Sequence, residues 1–255
     1  MLNVISLPAP FFHQGTYSRM KARLAIAAVM LILLVPGQSR GQKSEAWLDF
    51  IANWSPEGVW SYELNPGLAK GLGGAQWVEV YVASTATYQP FNWLSTEGNL
   101  EAHYTYDRTT ENVIEIRPWL GFNFIWATFG NYLNLFYPFV SFRLEERLRW
   151  YQPSGTFEAK TRARLRLSTR FTLNNETLVQ GTYYLLFLAE TFATLQGELK
   201  EVSADRRRFQ AGIGYVIELD TRMELHYVMM RTRDTYTNSF EEDSRIFWLA
   251  VKHFF

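Results

Sequence analysis

The chain contains no cysteine and four histidines in 255 residues. Without thiols there is neither a disulfide framework nor a thiolate metal site, and no histidine-rich tract replaces them, so no metal or other cofactor is expected. Lysine and arginine number 25, and aspartate and glutamate number 25. That balance gives no overall attraction to a polyanion, so no nucleic-acid partner is expected. No apolar run reaches the roughly 18 residues that a membrane-crossing helix needs, which excludes a bundle of transmembrane helices. What the chain does have is aromatic side chains, 16% of residues against 20% charged. This is the composition of a packed or lipid-facing β protein.

The N-terminal region reads as an address. Lys21 and Arg23 precede the apolar stretch Leu24 to Val35, which is followed by Pro36, Gly37 and the small residues Ser39 and Gly41. A short basic region, an apolar core too short to span and a small-residue site are the parts of a secretory signal peptide. We expect residues 1–19 to be an upstream extension from an early start codon, residues 20–41 the signal, and residues 42–255 the mature domain. A short anchoring helix is the alternative for the apolar core. Loss of residues 1–41 removes Arg19, Lys21, Arg23 and Arg40 and no acid, leaving a net charge of −4.

The remainder alternates with period two. From Phe157 to Phe171 the odd positions are apolar or small, whereas Glu158, Lys160, Arg162, Arg164, Arg166 and Arg170 occupy even ones. A helix would scatter these charges around its circumference; a strand places them all on one face. The preceding segment repeats the rule, with Val140, Phe142, Leu144, Leu148 and Trp150 opposite Arg143, Glu145, Arg147 and Arg149. Glu146 breaks the pattern and predicts a bulge. Such strands are longer than the five or six residues usual in soluble sheets, and a lipid-crossing strand of about nine to eleven residues alternates in this way. Aromatics fall at strand ends: Tyr88, Trp126, Phe171 and Phe255 at one level, Tyr106, Trp150 and Phe157 at the other. We therefore expect an all-β fold, a closed antiparallel up-and-down transmembrane β-barrel, with a soluble β-sandwich as the alternative.

Counting back from the C-terminus predicts about ten strands, with twelve as the alternative. The first would lie near Val59 to Leu64 and both ends of the domain would share one rim. Short turns are expected at Gln89–Asn92, Thr128–Asn131, Leu173–Glu176 and Leu219–Thr221, and a glycine-rich surface loop at Asn65–Gly74. Extra strands could lie within Asn131–Phe139.

Phe247, Leu249, Val251, His253 and Phe255 alternate along the final segment, which ends on the aromatic. This resembles the C-terminal strand of bacterial outer-membrane barrels, and the resemblance implies that Phe247, Leu249, Val251 and Phe255 form a membrane-insertion signal for the barrel-assembly machinery; His253 departs from the usual apolar residue. More widely, Leu144–Arg147, Arg162–Arg164, Ala189–Phe192, Arg208–Tyr215 and Glu224–Tyr227 are similar to the domain-of-unknown-function family numbered 2490. That resemblance implies an outer-membrane barrel, in contact with outer-membrane lipids and lipopolysaccharide, and no chemistry.

The candidate lumen residues are Arg143, Glu145, Arg147, Arg149, Glu158, Arg162, Arg164, Arg166, Arg170, Glu190, Arg208 and Glu224. In a narrow barrel, interleaved Arg and Glu are expected to pair and fill the interior. The sharper alternative is a small anion-favouring channel, because the segments 141–149 and 158–170 carry more bases than acids. A lipid hydrolase or acyltransferase is a third class. His103, His226 and His253 could act as bases, but no nucleophile is placed beside them, so no catalytic residue is assigned. Gly71–Gly74 lacks the lysine and the strand-to-helix setting of a phosphate-binding loop.

Overall fold

The computed structural model of the chain describes residues 43–56, 58–73, 75–125, 138–195, 204–233 and 239–255. These form eleven strands: β1 (Lys43–Trp54), β2 (Trp60–Leu72), β3 (Trp77–Phe91), β4 (Leu94–Asp107), β5 (Asn112–Ile125), β6 (Phe139–Gln152), β7 (Phe157–Thr172), β8 (Tyr183–Thr194), β9 (Ala204–Glu218), β10 (Thr221–Arg233) and β11 (Phe240–Phe254). Each pairs antiparallel with its chain neighbour, and β1 closes the barrel against β11 in parallel, from Lys43↔Ser244 to Asn53↔Phe254. An up-and-down meander with an odd number of strands can close only through one parallel pair.

The expectation of ten or twelve strands is thus corrected to eleven, and the barrel begins and ends on opposite rims. Lys43 lies on the rim where β11 starts, here the N-terminal rim, and Phe254 on the other, the C-terminal rim. The overlooked strand is β1. Its inward residues Trp47 and Ile51 are as apolar as its outward residues Leu48 and Phe50, so alternation in hydropathy cancels. The predicted loop Asn65–Gly74 is also corrected, because β2 runs on to Leu72. Its glycines serve packing: a Cβ on Gly67 would overlap the Tyr81 ring, and one on Gly71 would lie 2.7 Å from Trp77 Nε1. Nor does Glu146 mark a bulge. β6 and β7 pair in unbroken register, and Glu146 faces outward, accepting a 2.6 Å bond from the Thr161 hydroxyl.

Turn lengths do not separate the rims. Two-residue turns at Asn92–Trp93 and Leu219–Asp220 lie on the C-terminal rim, but so does the longer connection 173–182. That connection extends past the predicted turn at Leu173–Glu176 and is tied down by Asn174 Nδ2 donating to Gly181 O (2.8 Å) and Asn175 Nδ2 to Thr182 Oγ1 (2.8 Å). Gly181 supplies the left-handed φ of 80° that the turn requires. The predicted turn at 128–131, Trp126 and most of 131–139 lie outside the described residues.

The outer surface is apolar. Leu100, Leu120, Leu167 and Leu225 are 55%, 66%, 56% and 54% exposed, and Phe122, Phe142, Leu144, Leu165 and Phe247 share that face. Aromatics pair at the strand ends: Trp60 with Tyr88 (centroids 4.9 Å) and Trp54 with Phe255 (5.2 Å) on the C-terminal rim, Trp150 with Phe157 (5.1 Å) on the N-terminal rim. Phe157 to Phe171 is roughly 47 Å of strand, which a tilt of about 45° shortens to roughly 33 Å. Inside, the apolar packing is local. Val228, Met230 and Ile246 are buried against Trp47 and Trp248 where β10, β11 and β1 meet.

Candidate functional site

A cavity of about 750 Å³ occupies the interior, bordered by side chains from all around the barrel. Its charges are divided by strand. Among the described residues, the bordering side chains of β1–β4 include six acids: Glu45, Asp49, Glu63, Glu79, Glu97 and Glu101. Those of β5–β9 include eight arginines and no acid: Arg117, Arg143, Arg147, Arg162, Arg164, Arg166, Arg206 and Arg208.

The arginine wall is built in ladders. Glu190, whose side chain is fully shielded, gathers Arg164 (2.6 Å), Arg166 and Arg208 (3.4 Å). Glu145, equally shielded, holds Arg143 (2.7 Å) and Arg162. Glu115 holds Arg117 (2.6 Å), Arg147 (2.7 Å) and Arg149 (2.7 Å). The local cause is register: Arg166↔Glu190↔Arg208 and Glu145↔Arg162 are direct cross-strand partners on the inner face. Each carboxylate lies behind the guanidinium groups it binds, so the wall offers the cavity nitrogen rather than oxygen. Rings support the forks from the side, with Arg143 4.1 Å from the Trp119 ring centre and Arg162 4.6 Å from that of Phe192.

The acid wall uses neutral donors. Asp49 accepts from the Tyr81 hydroxyl and from Asn65 Nδ2 (3.2 Å), Glu45 from Trp47 Nε1 (3.0 Å), and Glu79 from Thr105 Oγ1 (2.8 Å). His103 bridges Glu79 (3.0 Å) and Glu101 (3.1 Å). The walls meet where Arg117 reaches Glu101 (2.8 Å) and Arg143 approaches it at 3.7 Å.

Of the residues selected from the sequence, Arg143, Arg147, Arg162, Arg164, Arg166 and Arg208 border the cavity. Glu145 and Glu190 stand behind them. Arg149 and Glu158 pair at 3.3 Å toward the N-terminal rim, where Lys160 also reaches Glu158. Toward the C-terminal rim, Arg170 lies over the Tyr184 ring at 6.0 Å, and Glu224 binds Lys252 (2.9 Å), His226 (3.0 Å) and the Tyr184 hydroxyl (2.8 Å). These four do not border the cavity. Phe247, Leu249 and Val251 lie on the face of β11 opposite the inward Ile246 and Trp248, and Phe255 N donates to Asn53 O (2.8 Å) just past the strand.

The histidines are separated. His226 sits between Glu224 and Gln210 (2.9 Å), and His253 Nδ1 lies 3.0 Å from the hydroxyl of Thr221, a partner that the sequence reading did not find. That hydroxyl bonds Asp220 (3.0 Å), so the carboxylate engages the threonine rather than the imidazole and no ordered relay runs through the three. Sequence reasoning also missed Glu45, Asp49, Glu63, Glu79 and Tyr81. Their signal was present but sparse: one or two acids per strand at alternate positions, interrupted by Asn65, Gly67 and Tyr81.

A search of curated proteins and of solved structures found no significant match. Residues 44–241, from the second residue of β1 into β11, match the family described as "Protein of unknown function (DUF2490)", and the chain belongs to that family.

Proposed function

We propose that the protein is an integral β-barrel of the bacterial outer membrane, exported through the signal at residues 20–41, and that it acts as a scaffold or narrow passage rather than as a catalyst. One observation carries this reading: large apolar side chains, Leu120 and Leu167 among them, cover the outside while the arginines and acids face inward. A barrel bathed in water would gain from the reverse arrangement, since each such side chain gains about 1.5–3 kcal/mol on leaving water. Lipid is the solvent that suits the outward face, and the aromatic pairs at the strand ends suit the two interfaces. Outer-membrane lipids and lipopolysaccharide would be its immediate surroundings. The outward alternation of Phe247, Leu249 and Val251 along β11 is what the assembly machinery would read.

The ion-pair ladders favour a largely filled interior over a wide channel. The second reading, a small anion-favouring channel, rests on the eight arginines that border the cavity; the six acids across from them oppose strong anion selectivity. Flotation with lipid vesicles and a heat-modifiable gel band test the membrane reading, and a protein that stays in the aqueous phase after refolding removes it. Planar-bilayer recording then divides the two interiors: discrete anion-favouring steps support the channel, and silence supports the filled lumen.

A further inference from the structure

The arginine wall is only partly neutralised by its buried carboxylates, since Glu190 alone serves Arg164, Arg166 and Arg208, and one of its members keeps a free face. Arg166 is 30% exposed, against 7% for Arg164, 12% for Arg162 and 14% for Arg208. Among the described residues it bonds only Glu190, through Nε, which leaves both Nη groups without a protein partner on a side chain that borders the cavity. On the acid wall the counterparts are Glu63 and Glu97. Both border the cavity, and neither makes a hydrogen bond or ion pair among the described residues. Arg166 lies within the field of Glu97, and Glu63 within the fields of Lys252, which Glu224 binds, and then of Glu97, Asp49 and Arg166. The three charged groups Arg166, Glu63 and Glu97 thus border one cavity without touching each other. Charged groups that stay apart beside a cavity need water or a ligand between them. A cavity of about 750 Å³ is in the range that holds a small organic molecule.

We propose that this cavity is a binding site for a small soluble zwitterion, whose anionic group is held by the Nη edge of Arg166 and whose ammonium group is held by Glu63 and Glu97. A fork of N–H donors suits a phosphate or carboxylate, and a pair of carboxylates suits a compact cation. A free anion would face the six acids of β1–β4, and a free cation the eight arginines of β5–β9. Only a solute carrying both charges matches both walls. The assignment rests on the reading of the interior as enclosed within a lipid-facing barrel, and its test separates the two.

The probes are O-phosphoethanolamine and its two halves, inorganic phosphate and ethanolamine, titrated calorimetrically into the refolded full chain in detergent. Vesicle flotation of the same preparation scores membrane insertion independently. Phosphoethanolamine is expected to bind roughly tenfold or more tightly than either half, because two charge-assisted contacts act together in one molecule. The double substitution Glu63→Gln, Glu97→Gln should bring phosphoethanolamine down to the level of phosphate while leaving phosphate binding unchanged or tighter. Arg166→Gln should weaken both by roughly tenfold, and Arg166→Lys should recover part of the loss. Arg164 and Arg208 still hold Glu190 in either variant, and a retained heat-modifiable band certifies that each barrel is folded. Equal binding of phosphate and phosphoethanolamine, or no binding of any probe by a barrel that inserts into vesicles, overturns the zwitterion site alone. A chain that binds phosphoethanolamine but never floats with lipid sustains the site and removes the membrane reading.

Discussion

The two walls of the interior solve one electrostatic problem in opposite ways. On β5–β9, guanidinium groups are partly compensated by carboxylates on the same or neighbouring strands, so charge meets charge and the acid is sealed behind the base. On β1–β4, carboxylates are met mainly by neutral donors, the Tyr81 hydroxyl, Asn65, Trp47 and Thr105, and Glu63 and Glu97 make no hydrogen bond or ion pair among the described residues. The difference shows that a charged lumen divides into a load-carrying part and an open part. A buried ion ladder fixes geometry, because removing one member strands the others in a medium that penalises bare charge. A carboxylate held by neutral donors or water leaves its charge available to a solute.

The comparison is broken most severely at Glu190. Glu190→Gln leaves Arg164, Arg166 and Arg208 around a neutral amide, and a cost of about 3–5 kcal/mol is expected, as for a buried pair deprived of one partner. Urea titration of the refolded barrel measures it, with Glu97→Gln as the acid-wall control expected to shift the midpoint little. Similar shifts for the two would show that both walls carry load and would dissolve the distinction.

A smaller effect is expected at the glycine notches, which test whether the acid wall is also shaped by packing. Gly67 gives the Tyr81 ring its bed, and Gly214 does the same for Tyr184. Gly67→Ala forces the ring, and with it the hydroxyl bonded to Asp49, to shift. The expected loss is about 1–3 kcal/mol, as for overpacking elsewhere, and Gly67→Ala combined with Tyr81→Leu should recover most of it. An alanine that costs nothing would mean that the ring is free to move and the notch is incidental.

These contrasts also explain what could be read from the sequence. Charged residues at every second position of Arg162–Arg166 and Arg143–Arg149 admit only a strand with one charged face, so these strands and their largely basic face follow directly from period two. β1 and β2 are harder, because Trp47 and Ile51 face inward as apolar residues and Pro66, Gly67 and Gly71 imitate a loop. There the periodicity is set by Tyr81 and Trp77 on the next strand, information that no local window contains. For the same reason the closing parallel pair, and with it the odd strand number, is a property of the whole sheet and not of any segment.

Asp49→Asn probes the acid wall's mode of compensation more gently. Neutral donors lose little when their acceptor loses its charge, so the change should cost only about 1 kcal/mol, readable as a modest fall in the urea midpoint. A loss as large as that at Glu190 would make Asp49 a charge-compensated group in disguise.

The smallest effect is expected at the N-terminal rim, where the acid wall's rule reaches the loop after β4. Asp107 Oδ1 accepts from Thr109 N (2.8 Å) and Thr109 Oγ1 (2.7 Å), and Oδ2 from Thr110 Oγ1 (2.8 Å). The Thr109 amide, followed by the two hydroxyls, holds this exposed carboxyl down at about 2, against about 3.9 for a free aspartate. A depressed acid stabilises the folded loop above the free value, and that contribution fades as the pH falls through about 2. The protection factor of the Thr109 amide should therefore hold steady at neutral pH and drop on acidification below about 4. In Asp107→Asn it should be lower at neutral pH and flat across the same range. Because every partner of Asp107 is neutral, raising the salt concentration should leave the wild-type value nearly unchanged. A strong salt dependence would reveal a charged partner and end the analogy between this loop and the wall below it.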